Sequence, residues 1–174
     1  MKSYPKHIKN TLYTVIRDMA KHPEDFCRNP KTDFTRKRKL PFENVLSLLV
    51  KMGGHSLRDE MMDCLDFKEM PASVSALVQQ RSKILPEALE HLFHEFTNRC
   101  HRPKLYKGYR LLAVDGSDLQ FTANPNDPLS YFPGVNGQKP YSFLHLNALY
   151  DLISNLYLDA VVQKEELRMK TQLL

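Results

Sequence analysis

The sequence predicts an α+β protein in two parts: a helical bundle over residues 1–105, then the strands of a sheet over 106–174. Three observations lead there. Apolar residues recur at helical spacing through the first part. After Pro103 the pattern changes to a continuous apolar run, Leu111 to Val114, and to two-residue alternation at Leu144, Leu146, Ala148 and Tyr150. The charge also divides: residues 1–110 carry 21 Lys and Arg against 13 Asp and Glu, whereas 111–174 carry 4 against 7.

The whole chain has 174 residues and a net charge of +5, with 42% apolar and 26% charged residues, a composition that buries a core and excludes wholesale disorder. No run approaches the ~20 apolar residues of a membrane span. The basic start, Met1 to Lys6, lacks the apolar segment of a secretion signal. Cys27, Cys64 and Cys100 are odd in number and form no CxxC pair, which suits a reducing cytoplasm.

Element by element, Ile8, Leu12, Val15, Ile16 and Met19 form the apolar face of a first helix. Residues 22–33 hold two prolines and several turn formers, and predict a connector. The run Arg36-Lys37-Arg38-Lys39 leads to Pro41, suited to a helix start, with Glu43 complementing the dipole. Phe42, Val45, Leu46, Leu49 and Met52 would be buried on this helix, and Gly53-Gly54 would end it. Ser56 and Asp59 form a capping-box pattern for a short helix with Leu57, Met61 and Leu65 inward.

After Pro71, Ser73 or Ser75 starts another helix. Val74, Leu77 and Val78 make its apolar face, while Ser75, Gln79, Gln80, Ser82 and Lys83 make the other. Pro86 forces a new start, with Leu89, Leu92, Phe93 and Phe96 inward.

In the second part, residues 111–114 predict a strand buried on both faces. Residues 119–140, with Pro125, Pro128, Pro133 and Pro140, predict a long loop. A second strand carries the alternation at 144–150, a turn occupies 151–155 and a third strand spans 156–162. The tail, 164–174, contains good helix formers. Three strands leave the first without a second neighbour, so the sheet is expected to be the unfinished front of a larger fold.

Two features carry chemistry. The strand within LLAVDGSDLQF (111–121) delivers Asp115, and a carboxylate on a rigid strand is well placed to ligate a divalent ion. The same pattern also describes aspartates that only cap the next turn. The helix pair near 56–66 and 73–84 resembles a helix-turn-helix, whose second helix would present Ser75, Gln79, Gln80 and Lys83 to a DNA major groove. Arg36, Lys37, Arg38 and Lys39 would add phosphate contacts.

Four segments occur in an order that adds a resemblance: Phe34, Arg36, Arg38, Leu40 and Pro41; Val78 to Lys83; Val114-Asp115-Gly116-Ser117; and Leu149-Tyr150-Asp151. They resemble the N-terminal portion of bacterial insertion-sequence transposases of the DDE class, in the insertion-sequence-four family. That resemblance implies a helical DNA-binding domain followed by the first three strands of an incomplete ribonuclease-H-like core. Asp115 matches the first of three metal-binding catalytic acids, with magnesium (Mg2+) as the implied cofactor. The family's second aspartate and its glutamate belong to later elements, so the expectation is a truncated transposase, inactive alone. Expected partners are double-stranded DNA at element ends, a second copy, or a full-length transposase, in a cytoplasmic, nucleoid-associated setting with no membrane. The alternative is a non-enzymatic DNA-binding module or transposition inhibitor derived from such an enzyme.

Overall fold

The computed structural model describes residues 3–36, 39–64, 72–134 and 137–163. The chain divides into two compact units, Met1–Cys100 and His101–Leu174. The fold is α+β, and the described residues form five α-helices and an antiparallel sheet of four strands.

The first unit contains α1 (Ser3–Met19), α2 (Phe42–Lys51), α3 (Leu57–Cys64), α4 (Val74–Arg81) and α5 (Glu87–Cys100). Its core joins Val15, Ile16 and Met19 of α1 to Phe42, Val45, Leu46 and Leu48 of α2, together with Met61, Leu77, Ala88 and Leu92. Local chemistry sets the boundaries. The Ser56 hydroxyl donates to Asp59 Oδ2 at 2.7 Å and accepts from the Asp59 N–H at 3.3 Å, opening α3. Ser73 caps α4 by accepting from the Ala76 N–H at 3.1 Å. The buried carboxylate of Glu60 accepts from the N–H groups of Gly53 (2.8 Å) and His55 (3.1 Å), fixing the turn between α2 and α3.

Two apolar faces differ from the expected ones. Val78 and Leu89 are exposed. On α5 the buried stripe is Ala88, Leu92, Thr97 and Cys100, rotated by about one residue from the 89/92/93/96 stripe. The helix packs against α1, and the side it turns inward brings Ala88 and Leu92 into the core, which leaves Leu89 outward. The connector is also not free chain. Arg28 N–H donates to Lys83 O and Leu85 N–H to Phe26 O, so residues 26–28 lie beside 83–85.

The second unit is a sheet of β1 (Leu112–Phe121), β2 (Tyr131–Phe132), β3 (Tyr141–Asp151) and β4 (Leu156–Gln163). β3 is central: β1 runs along one edge, and β2 and β4 share the other. The register pairs Asp115 with Ala148 and Asp118 with His145. Because side chains alternate, Asp115 shares a face with Leu119, Leu146 and Leu144, while Asp118 lies on the opposite face with Gly116, His145 and Asn147.

The sheet corrects two expectations. Among the described residues there are four strands where three were expected, because Tyr131–Phe132 within the expected loop pairs with Tyr141 and Ser142. Buried Ser130 bonds Asp127 Oδ2 at 3.0 Å, and Phe132 stacks on Phe143 with centroids 4.6 Å apart, which hold that short strand in place. β1 also extends through the polar Asp-Gly-Ser-Asp segment, paired with β3 as far as Phe121, and is not buried on both faces: Val114 is 74% exposed. Among the described residues of this unit there is no helix, and no strand pairs with the outer edge of β1. The tail from 164 and Leu65 lie outside the described residues. No described helix is long and apolar enough to cross a membrane.

Candidate nucleic-acid interface and the Asp115 strand

The helical unit gathers part of the expected basic set around one cleft. A cavity of about 300 Å³ is lined by Lys31, Thr32, Phe34, Thr35, Arg36, Leu40, Gln80 and Lys83. Three of these are cations, drawn from two segments well apart in sequence. The pairing of residues 26–28 with 83–85 brings them together, because it places the end of α4 against the connector that precedes the basic run.

The wall is anchored from beneath. Buried Asp33 accepts from the Asn29 N–H at 3.1 Å, and its other oxygen lies 3.8 Å from Lys83 Nζ. Lys83 Nζ also donates to Gln80 Oε1 at 3.4 Å and sits 5.8 Å from the centre of the Phe34 ring. Phe34 packs edge-on against Phe42 and has a backbone φ of 54°, unusual for a bulky residue. The cleft thus holds Lys31, Arg36 and Lys83 against one carboxylate, Asp33, an excess of positive charge facing an opening of phosphate size or larger.

The residues assigned to a groove-reading helix separate. Ser75 and Gln79 are exposed on α4, whereas Gln80 is only 7% exposed and turns with Lys83 toward the cleft. Arg36 and Lys39 are exposed; Lys37 and Arg38 lie outside the described residues. Arg36, Gln80 and Lys83 are therefore brought together, while Gln79 stands apart from the cleft lining.

Asp115 occupies the fourth position of β1 and is exposed. Its carboxylate accepts the N–H of Gly116 at 2.9 Å. Among the described residues, no group of three or more His, Cys, Asp or Glu side chains is placed to hold a metal ion. A single exposed carboxylate does not fit magnesium bound in fixed geometry, since such a site needs further oxygen ligands. No metal-dependent step follows from these residues.

Sequence reasoning passed over residues 102–110. This stretch holds Arg102, Lys104, Lys107 and Arg110 with no acid, and Tyr106 and Tyr109 between them. All nine residues are exposed. Its signal in the sequence is cations interleaved with aromatics, a pattern with neither helical nor strand periodicity.

No protein-family model matches the chain, and neither does any curated protein or solved structure.

Proposed function

We propose that this chain is a DNA-binding protein built from the front part of an insertion-sequence transposase of the DDE class. The helical unit would contact duplex DNA through the basic cleft and the exposed Arg36 and Lys39. The observation that carries the reading is the convergence of Lys31, Arg36 and Lys83 on one cleft. Among the described residues, three cations in a concave site outweigh the Asp33 carboxylate, so the site favours a polyanion, and the exposed Lys39 adds positive charge nearby in the chain. On this reading Gln79 and Ser75 face the base edges, and Gln80 and Lys83 serve a phosphate rather than a base.

The sheet supports the ribonuclease-H-like part of the reading in one respect. An antiparallel arrangement with Asp115 on a strand whose outer side is unpaired among the described residues leaves room for a further strand beside that carboxylate. Metal-dependent cleavage needs more carboxylates than Asp115 provides, so binding is the activity proposed for the residues present. A cytoplasmic, nucleoid-associated setting follows from that proposal.

The test is fluorescence anisotropy with a labelled duplex and the full chain across a salt series. Affinity should fall linearly with salt on logarithmic axes, and Arg36→Ala should reduce the slope by about one unit. Incubation of the duplex with magnesium should give no strand cleavage. Absence of duplex binding at low salt, or a slope unchanged in Arg36→Ala, would overturn the reading.

A further inference from the structure

We propose that the turn at residues 104–110 is a second nucleic-acid contact, one that takes unpaired bases of single-stranded DNA on its two tyrosines. It lies in the sheet unit and does not depend on the duplex reading of the helical unit.

The turn is stiff. Tyr106 and Tyr109 exchange both backbone hydrogen bonds, N–H to carbonyl, at 2.9 and 3.0 Å. The two central residues, Lys107 and Gly108, have φ of 49° and 86°, the pattern of a type I′ turn. Glycine adopts that backbone freely, whereas lysine is uncommon there. A lysine held at a position that suits Asn or Gly puts a charge at the tip that the turn itself does not need. Strain of this kind points toward use at the site.

The base of the turn is tied down on both sides. The Lys104 N–H donates to Ser154 Oγ at 3.3 Å, and that hydroxyl donates to Arg102 O at 3.3 Å. At the other end the Leu152 N–H donates to Leu111 O at 3.0 Å. Arg110 and His101 both approach the fully buried Asp151, at 3.6 and 3.2 Å. One cation is thus used to anchor the turn, and Arg102, Lys104 and Lys107 remain on the exposed segment without an acid among them.

What the anchored turn displays is unusual for a surface. Tyr109 is 72% exposed and Tyr106 52%, with Leu105 beside them and Lys107 Nζ 5.5 Å from the Tyr106 ring centre. Large rings facing water cost hydrophobic free energy, and three cations on the same short segment favour an anionic partner. Bases stack on aromatic side chains irrespective of sequence, while the phosphates between them are drawn to Lys and Arg. An intact duplex keeps its base faces stacked internally and so offers only its phosphates to such a surface. A single strand offers both, and that choice sets the proposed ligand class.

The experiment measures anisotropy of a labelled oligothymidylate of about 16 nucleotides with the full chain. Both tyrosines are exposed, so Tyr109→Ala and Tyr106→Ala should leave the circular dichroism spectrum and melting temperature unchanged. Tyr109→Ala should weaken single-strand binding on the order of tenfold, Tyr109→Phe should retain it, and Lys107→Ala should weaken it with a shallower salt slope. Arg36→Ala serves as the control that separates the two proposals: it should reduce duplex affinity and leave oligothymidylate affinity nearly intact. Absence of oligothymidylate binding, or binding indifferent to Tyr109→Ala, overturns the inference. So does a parallel loss of duplex and single-strand affinity in Tyr109→Ala, which would mark the turn as a general phosphate contact.

Discussion

Asp151 shows how much a single carboxylate does in this chain. It is fully buried at the end of β3, where one oxygen accepts the N–H groups of Ile153 (3.1 Å) and Ser154 (2.9 Å) and closes the turn into β4. The other oxygen meets His101 at 3.2 Å. The hydrogen bond from the Ser154 backbone does most to hold its carboxyl below the ordinary 3.8, at about 2, with His101 and Ile153 adding to it against the opposing effect of burial. A depressed folded-state value means that stability from Asp151 is complete above the unfolded value. It fades as pH falls from 3.8 and is gone below about 2. Asp151→Asn should therefore unfold at lower urea concentration at pH 7, and the gap from the unaltered chain should narrow as pH is lowered through that window. A gap independent of pH would contradict this role. The turn over 151–155 was legible in the sequence, because an aspartate at the start of a turn has a local task; burial of Gln80, two residues from the exposed Val78, was not visible because it depends on what packs against α4.

Elements follow the same division between local and tertiary causes. The start of α3 was legible from Ser56 and Asp59, and that of α4 as Ser73 or Ser75, of which Ser73 is the cap, since capping is settled within four residues of chain. Ser73→Ala should cost about 1 kcal/mol in chemical denaturation, with Ser73→Gly costing only a few tenths. A Ser73→Ala variant as stable as the unaltered chain would show that the Ser73–Ala76 bond contributes nothing to α4. The rotation of the α5 stripe was not legible: Leu89 has the hydrophobicity expected of a core residue, but the way the helix packs into the core buries Ala88 instead. β2 was hidden for another reason. Tyr131 and Phe132 lie among prolines, and only pairing with Tyr141 and Ser142 turns two residues of an expected loop into a strand. β1 was overestimated as a buried strand because its first residues are apolar, although its register with β3 runs on through a polar segment.

At the scale of the molecule, the boundary between units redistributes the charge. A division after residue 110 gives a strongly basic first part and an acidic second part. The compact units divide after Cys100, so residues 1–100 carry 17 Lys and Arg against 13 Asp and Glu, and 101–174 carry 8 against 7. The four cations between Arg102 and Arg110 move to the sheet unit, which then has its own basic surface despite a net charge of only +1. Net charge per unit is therefore a poor guide to where a polyanion binds, and the local excess at the cleft and at the turn is the better one. The consequence is measurable in the full chain with a DNA that has a duplex portion and a single-stranded tail. Each phosphate contact removed lowers the salt slope by about one unit. Arg36→Ala and Lys104→Ala should each lower it by that amount, and the double variant by about two, since each substitution removes one phosphate contact. If the double variant lowered the slope no further than Arg36→Ala alone, the turn would lie off the bound DNA, and the helical unit would account for the whole electrostatic contact.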